Sequence, residues 1–336
     1  MSEHYTYRSI FAPHIKSFIQ MKSSQGIGAT LYKSSLLEFD TFFIAIGAKE
    51  IHITQEQIAA WRATRVNDRK STLYNKMNHL QQFCRYLNYL GHECYIPHLP
   101  RRDYHGFIPY IFTNKQMEDI FDACDHFTLK VRNMRSGLIS LPALFRLLYS
   151  TGMRINEALS LKNEDVDLEN RQIMLNYTKN RVQRLAPINS SLLIVLEQYK
   201  QYRDKLPIRE VTSPESPFFI SAIGKRMYSN YIHYWFKRIL KKCGIPFVGG
   251  GYGPRIHDIR HTCAVHALKK MVDNDIDVYC ALPVLSVFIG HSNVNDTERY
   301  VRLTQEIYPD IIKMEQSVMS YVFPTIRKME VDDGND

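Results

Sequence analysis

The chain has 336 residues, 45% of them hydrophobic and 23% charged, which excludes wholesale disorder, collagen-like repeats and a small disulfide scaffold. No apolar run approaches the ~20 residues of a membrane helix, and MSEHYTYRSI lacks the features of a signal peptide, so a soluble, cytoplasmic protein is expected. Forty-three Lys and Arg against thirty-four Asp and Glu give +9, a balance that favours polyanionic partners.

The length suggests two domains. Residues 8–96 read as four helices forming a first domain. The first spans about Ser9 to Lys22, and the second carries Leu31, Leu36, Phe39, Phe42 and Phe43 to a stop near Gly47. Thr54 and Gln57 have capping-box spacing and open the third, with Ile58 and Trp61. The fourth runs from about Ser71 to Leu90, with Leu73, Met77, Leu80, Phe83, Cys84 and Leu87 on one face. Between Trp61 and His105 lie eight bases (Arg62, Arg65, Arg69, Lys70, Lys76, Arg85, Arg101, Arg102) and only three acids. A solvated face would explain such a run; clustering favours a nucleic-acid surface, with Arg62, Arg65, Arg69, Lys70, Lys76, Arg101 and Arg102 as its candidates.

Three prolines and a glycine without helical period make residues 97–112 an interdomain linker. The second domain, 113–325, opens with another capping-box pair, Thr113 and Gln116, and continues helical to about Leu161. RQIMLNYT and RLAPI then read as two strands with Lys179, Asn180 and Arg181 at the turn. From Ser190 the pattern is again helical, broken by PFFI and by FVGGGYGPR, which reads as a connector because no Gly-Lys-Ser/Thr follows. Residues 326–336 form an acidic flexible tail. The six cysteines contain no Cys-x-x-Cys pair and read as buried free thiols; no metal site is expected.

Five features of the second domain carry chemistry in order. TGMRINEALSL places Arg154 after a glycine at a helix start, with Glu157 and Leu161 on its face at spacings of three and seven. TKNRVQRLAPI puts Lys179 at the turn. RIHDIRH sets His257 and Arg260 one helical turn apart. IGHSNVNDTERY brings His291 after a glycine, with Tyr300 nine residues later, near the end of a short helix.

This ordered set resembles the tyrosine recombinase (phage integrase) family of DNA strand-exchange enzymes, over roughly residues 8–325. The resemblance implies a mainly helical, two-domain C-shaped clamp: a helical core-binding (SAM-like) domain, and a mixed α+β catalytic domain with a small sheet. Arg154 matches the family's first catalytic arginine, Lys179 its hairpin lysine, His257 and Arg260 its His-x-x-Arg pair, His291 the histidine after glycine, and Tyr300 the nucleophile. Too few residues precede the first helix for an arm-binding domain, which favours a simpler enzyme of a mobile element or of chromosome maintenance.

The chemistry agrees with that matching. Two guanidiniums can hold the oxygens of a five-coordinate phosphorus, and nearby arginine charge lowers the cost of ionising Tyr300. His257 is expected to take the phenolic proton, His291 to donate to the phosphate, and Lys179 to protonate the leaving oxygen. No cofactor is needed. The implied partners are double-stranded DNA and further copies of the chain, a dimer per site and a tetramer in synapsis. The apolar stripe of Ile307, Ile311, Met314, Val318 and Tyr321 would join the copies, unless it packs on its own domain; an accessory DNA-bending protein is a further expected partner, and a membrane is not. A non-cutting DNA-binding protein and a type IB topoisomerase are the alternatives.

Overall fold

A computed structural model describes residues 5–101, 108–128, 136–176, 183–249, 253–291, 293 and 295–307. The chain divides into two compact units, Met1–Gly106 and Phe107–Asp336. Lys179, Arg102, the Gly250–Tyr252 part of the glycine loop, the stripe beyond Ile307 and the acidic tail lie outside the described residues.

The first unit is helical: α1 (Ala12–Ser24), α2 (Thr30–Ala45), α3 (Gln55–Ala63) and α4 (Lys70–Tyr89). The Thr54 hydroxyl accepts from the Gln57 amide and the Gln57 side chain answers to the Thr54 amide, closing the expected box at the start of α3. The core is aromatic. Phe11, Phe18, Phe39, Phe43, Trp61 and Phe83 are buried together, with Phe11 edge-on to Phe43 at 4.8 Å. Buried Asp40 accepts from the amides of Arg8 and Ser9, fixing the chain ahead of α1.

The second unit holds α5 (Asn114–Asp125), α6 (Leu141–Thr151), the single-turn α7 (Ile155–Ala158), β1 (Val166–Asp167), β2 (Gln172–Leu175), β3 (Arg184–Pro187), α8 (Ser190–Arg203), α9 (Ser229–Lys242), α10 (Ile256–Val272), α11 (Val278–Ile289) and α12 (Asn295–Ile307). The strands form an antiparallel sheet in the order β1-β2-β3, with Ile173 opposite Ala186 and Leu175 opposite Arg184. Ile173, Leu175 and Ala186 are buried while Met174 and Leu185 between them are exposed, the period-two alternation of a one-sided sheet. Helix α10 packs against α6, α11 and α12. Neighbours on several sides bury it nearly all round, which is why its sequence shows little amphipathic stripe.

Three expectations need correction. Helix α7 ends at Ala158, so Leu161 shares no helical face with Arg154; it is buried beside the Lys162–Pro217 bridge instead. Tyr300 sits in the middle of α12 rather than near its end. Among the thiols, Cys243 is half-buried and Cys280 is exposed. Among the described residues, no helix is long and apolar enough to cross a membrane.

Candidate active site

Two helix ends set the site. Helix α6 stops at Gly152 (φ +59°) and α11 at Gly290 (φ +70°), both in the left-handed region that glycine enters without a Cβ penalty. Each glycine turns the chain sharply. Arg154 follows the first by two residues, and His291 follows the second directly. The space is also tight, since a Cβ on Gly152 would lie 3.2 Å from Ile289 and 3.3 Å from the Cys263 sulfur.

Arg154 caps α7 in an extended conformation. Glu157, only 4% exposed, accepts from the Arg154 amide at 2.9 Å through Oε2 and from Arg154 Nη1 at 2.7 Å through Oε1. An acid at this position, three into the helix, answers an orphan amide and the helix dipole, and here it also aims a guanidinium. Arg184, on the inward face of β3, brings Nη2 to 3.6 Å from the same carboxylate.

Helix α10 supplies the next three groups. Arg260 is 2% exposed and donates from Nη1 to the Gly152 carbonyl at 2.6 Å; its Nη2 is buried with no acceptor among the described residues. Burial, then the charges of Arg154 and Arg184, outweigh the help from Tyr300 and Glu157 and pull its pKa down to about 10. It stays a cation at neutral pH. His257, one turn earlier, keeps an exposed face, yet desolvation on its inner side and the charges of Arg260, Arg255 and Arg154 hold it down at about 4. His257 also meets His261 edge-on, ring centres 4.8 Å apart.

Tyr300 on α12 completes the group. It is 1% exposed, its ring stacks on His291 at 6.0 Å, and its hydroxyl lies 2.9 Å from His261 Nδ1. His291 Nδ1 is in turn 2.9 Å from the Thr297 hydroxyl. Arginine charge was expected to ease ionisation of Tyr300. Arg260, Arg299 and Arg154 do push its pKa down, but burial is the larger effect and the net shift is upward. His261, buried and crowded by His257 and by arginines, is held at about 3 and is therefore neutral.

The structure thus gathers Arg154, His257, Arg260, His291 and Tyr300 into one site. It adds Glu157, Arg184 and His261, whose roles the sequence reading missed. His261 was visible as the last letter of RIHDIRH, four residues after His257 on the same helix. Arg184 had no local signal, because its contacts lie 27 and 104 residues away. Among the described residues, Arg154, Arg184 and Arg260 around the Glu157 carboxylate leave surplus positive charge and a buried Arg260 N–H without an acceptor, an environment that suits a phosphate anion.

In the first unit the basic cluster is split. Arg62, Arg69, Lys70 and Arg101 are exposed. Arg65 pairs with Glu38 at 2.6 Å, and Lys76 is held between Glu38 at 2.7 Å and Asp68 at 2.9 Å, so two of the expected DNA contacts are engaged inside the unit.

Residues 111–306 match the family model described as the phage integrase family. A putative integrase/recombinase, y4rB, of Sinorhizobium fredii is 26% identical over 91% of this chain and 96% of its own length. Tyrosine recombinase XerC of Bacillus licheniformis is 26% identical over 82% of this chain and 86% of its own. Two solved structures share the fold. They are the XerH site-specific recombinase bound to a palindromic difH substrate (TM-score 0.64, 18% identity, 92% of this chain and 84% of that one) and a lambda integrase dimer bound to a COC′ core site (TM-score 0.61, 16% identity, 86% and 94%).

Proposed function

Because the chain belongs to the phage integrase family of tyrosine recombinases, and so is a site-specific recombinase that catalyses DNA cleavage and rejoining, we propose that Tyr300 is its nucleophile and that it serves a mobile element. Arg154 and Arg260 bind the non-bridging oxygens of the scissile phosphate. The observation that carries this reading is Arg260 itself: a buried guanidinium beside Tyr300, with one donor spent on Gly152 and Nη2 without an acceptor among the described residues. A buried charged donor of that kind calls for an acceptor, and a phosphodiester oxygen supplies one together with the opposite charge.

In the proposed step a bond forms between Tyr300 Oη and phosphorus while the bond to the 5′-oxygen breaks. The phenolic proton passes to His257, whose low proton affinity rises once the phosphate offsets the arginines. His291 donates to the phosphate and Lys179 protonates the departing 5′-oxygen. Energy is conserved in the 3′-phosphotyrosine ester. A free 5′-hydroxyl then reverses the step, so rejoining balances without a nucleotide, metal or other cofactor.

Tyr300 is buried and hydrogen-bonded to a neutral histidine, so attack requires α12 to move. We assign that movement to assembly on double-stranded DNA, a dimer at each site and a tetramer in synapsis. Residues 305–322 would dock on a neighbouring protomer, with an accessory DNA-bending protein assisting. The first unit, as core-binding domain, and the second, as catalytic domain, would each contact the duplex. Two assays test the reading. A nicked suicide duplex should trap wild-type protein but not Tyr300→Phe, and paired sites on one plasmid should recombine. A trapped Tyr300→Phe adduct, or relaxation of single-site plasmids without recombination, would overturn it.

A further inference from the structure

Arg184 opens β3, five residues after Lys179 in the chain, and shares the inward face of the strand with Ala186. Its side chain is 11% exposed. One end of the guanidinium donates from Nη1 to the Phe288 carbonyl at 2.6 Å, at the last turn of α11. The other end approaches Glu157 at 3.6 Å, the carboxylate that holds Arg154. The middle of the side chain lies against Gly290. A Cβ built there would stand 2.5 Å from Nε and 2.7 Å from Cδ, closer than any real contact, so the residue before His291 is glycine for a second reason besides its positive φ.

A purely structural arginine in a core satisfies its donors. Arg184 does so only in part, because Nε is buried with no acceptor among the described residues and Nη2 has no more than the 3.6 Å ion pair with Glu157. It also sits among like charges, with Arg154 and Arg260 both near enough to act on it or feel it. An apolar side chain would fill the space with none of these costs. What the guanidinium provides instead is simultaneous contact with three chain segments: the base of the β2–β3 hairpin, the Glu157–Arg154 cap, and the turn from Phe288 to His291.

We propose that Arg184 is a positioning residue for strand cleavage, registering the hairpin, the Glu157–Arg154 pair and the Gly290–His291 turn against one another. This rests on the reading that Arg154 and His291 hold the scissile phosphate for Tyr300. It requires no contact between Arg184 and DNA.

The test is the rate constant of covalent adduct formation at saturating protein. The probe is a nicked suicide duplex built on the sequence that the wild-type protein selects from a random pool. Arg184→Gln and Gly290→Ala attack the same contact from its two sides. Each should slow adduct formation by about a hundredfold, the scale of an ångström-sized misplacement, while duplex affinity stays within about threefold. Arg184→Lys keeps the charge but cannot span Phe288 and Glu157 together. It should remain folded and still lose about tenfold or more, so it decides the matter if Arg184→Gln does not fold. A merely structural role would lower the melting temperature and the adduct amplitude but leave the rate constant of the folded protein unchanged. Wild-type rate constants in Arg184→Lys and Gly290→Ala would overturn the proposal. Tyr300→Phe run in parallel separates the two levels: an adduct in that variant defeats the underlying reading, whereas its absence beside fast Arg184 variants defeats only the positioning role.

Discussion

Glu157→Gln tests the electrostatic frame of the site with almost no change of shape. The carboxylate uses both oxygens, Oε2 for the Arg154 amide and Oε1 for Arg154 Nη1, and it is the acid that faces Arg184. A glutamine has one oxygen and one NH2 group. Whichever way it turns, one bond to Arg154 is replaced by a donor facing a donor. Losing a charge-assisted hydrogen bond costs about 1.5–3 kcal/mol, and breaking a buried ion pair from one side about 3–5 kcal/mol. Taking roughly 3 kcal/mol, and about 2–4 °C per kcal/mol for a unit of this size, the second unit should melt about 6–12 °C lower. Adduct formation should slow by about a hundredfold or more, as when an oriented donor is lost from a transition-state site. Duplex affinity should hold or rise, because the variant carries one more net positive charge. Thermal melts, suicide-substrate kinetics and gel shifts read these separately. A melt within about 1 °C of wild type with a rate within threefold would refute the claim that Glu157 aims Arg154.

His261 should make stability pH-dependent. It binds a proton only near pH 3 when folded but near its ordinary 6.5 when unfolded, so stability is full above about pH 6.5 and falls as the pH drops. At pH 5 the loss from this group is about 2 kcal/mol by linkage, and His261→Gln should lessen the fall in melting temperature between pH 7 and 5 without abolishing it, because His257 is held down as well; an unchanged pH slope would contradict the assignment. Lys179→Ala should cleave ordinary DNA on the order of a hundredfold more slowly and recover when the 5′-bridging oxygen is replaced by sulfur, which leaves without a proton. Equal recovery by Arg154→Ala would show that the sulfur substrate does not single out a general acid. In the first unit, Arg62→Ala should reduce the slope of log affinity against log salt by about 0.9, one phosphate contact. Lys76→Ala should leave that slope unchanged and lower stability instead, because Lys76 is occupied by Glu38 and Asp68; the reverse pattern would place the DNA contact at Lys76.

Features governed by near neighbours were legible in the sequence. The boxes at Thr54 and Thr113 closed as their spacing requires, because each is settled within four residues. RQIMLNYT and RLAPI read as strands about a short turn, although the apolar Met174 and Leu185 on the open face hide the alternation that burial shows. The order Arg154, His257–Arg260, His291, Tyr300 was read through its resemblance to the tyrosine recombinase motif, while local signals mark only the glycines before Arg154 and His291 and the single turn between His257 and Arg260. What escaped notice depends on distance. Nothing near Arg184 in the chain points to Phe288, and nothing near Glu38 points to Lys76. Helix α7 ends after one turn, and the chain beyond it runs to the bridge between Lys162 and Pro217, a partner that nothing near Lys162 in the sequence points to. The net upward shift of Tyr300 is likewise a packing result, since the sequence names the arginines that favour the phenolate but not the burial that overrides them.

The central claim is that Tyr300 becomes covalently joined to DNA. Wild-type protein should be trapped on a nicked suicide duplex, digested with protease and nuclease, and the nucleotide-bearing peptide sequenced by mass spectrometry. A 3′-phosphonucleotide on Tyr300, absent from Tyr300→Phe although that variant binds the duplex as well as wild type, is the predicted result. A modified Tyr308, another modified tyrosine, or an adduct that persists in Tyr300→Phe would contradict the account.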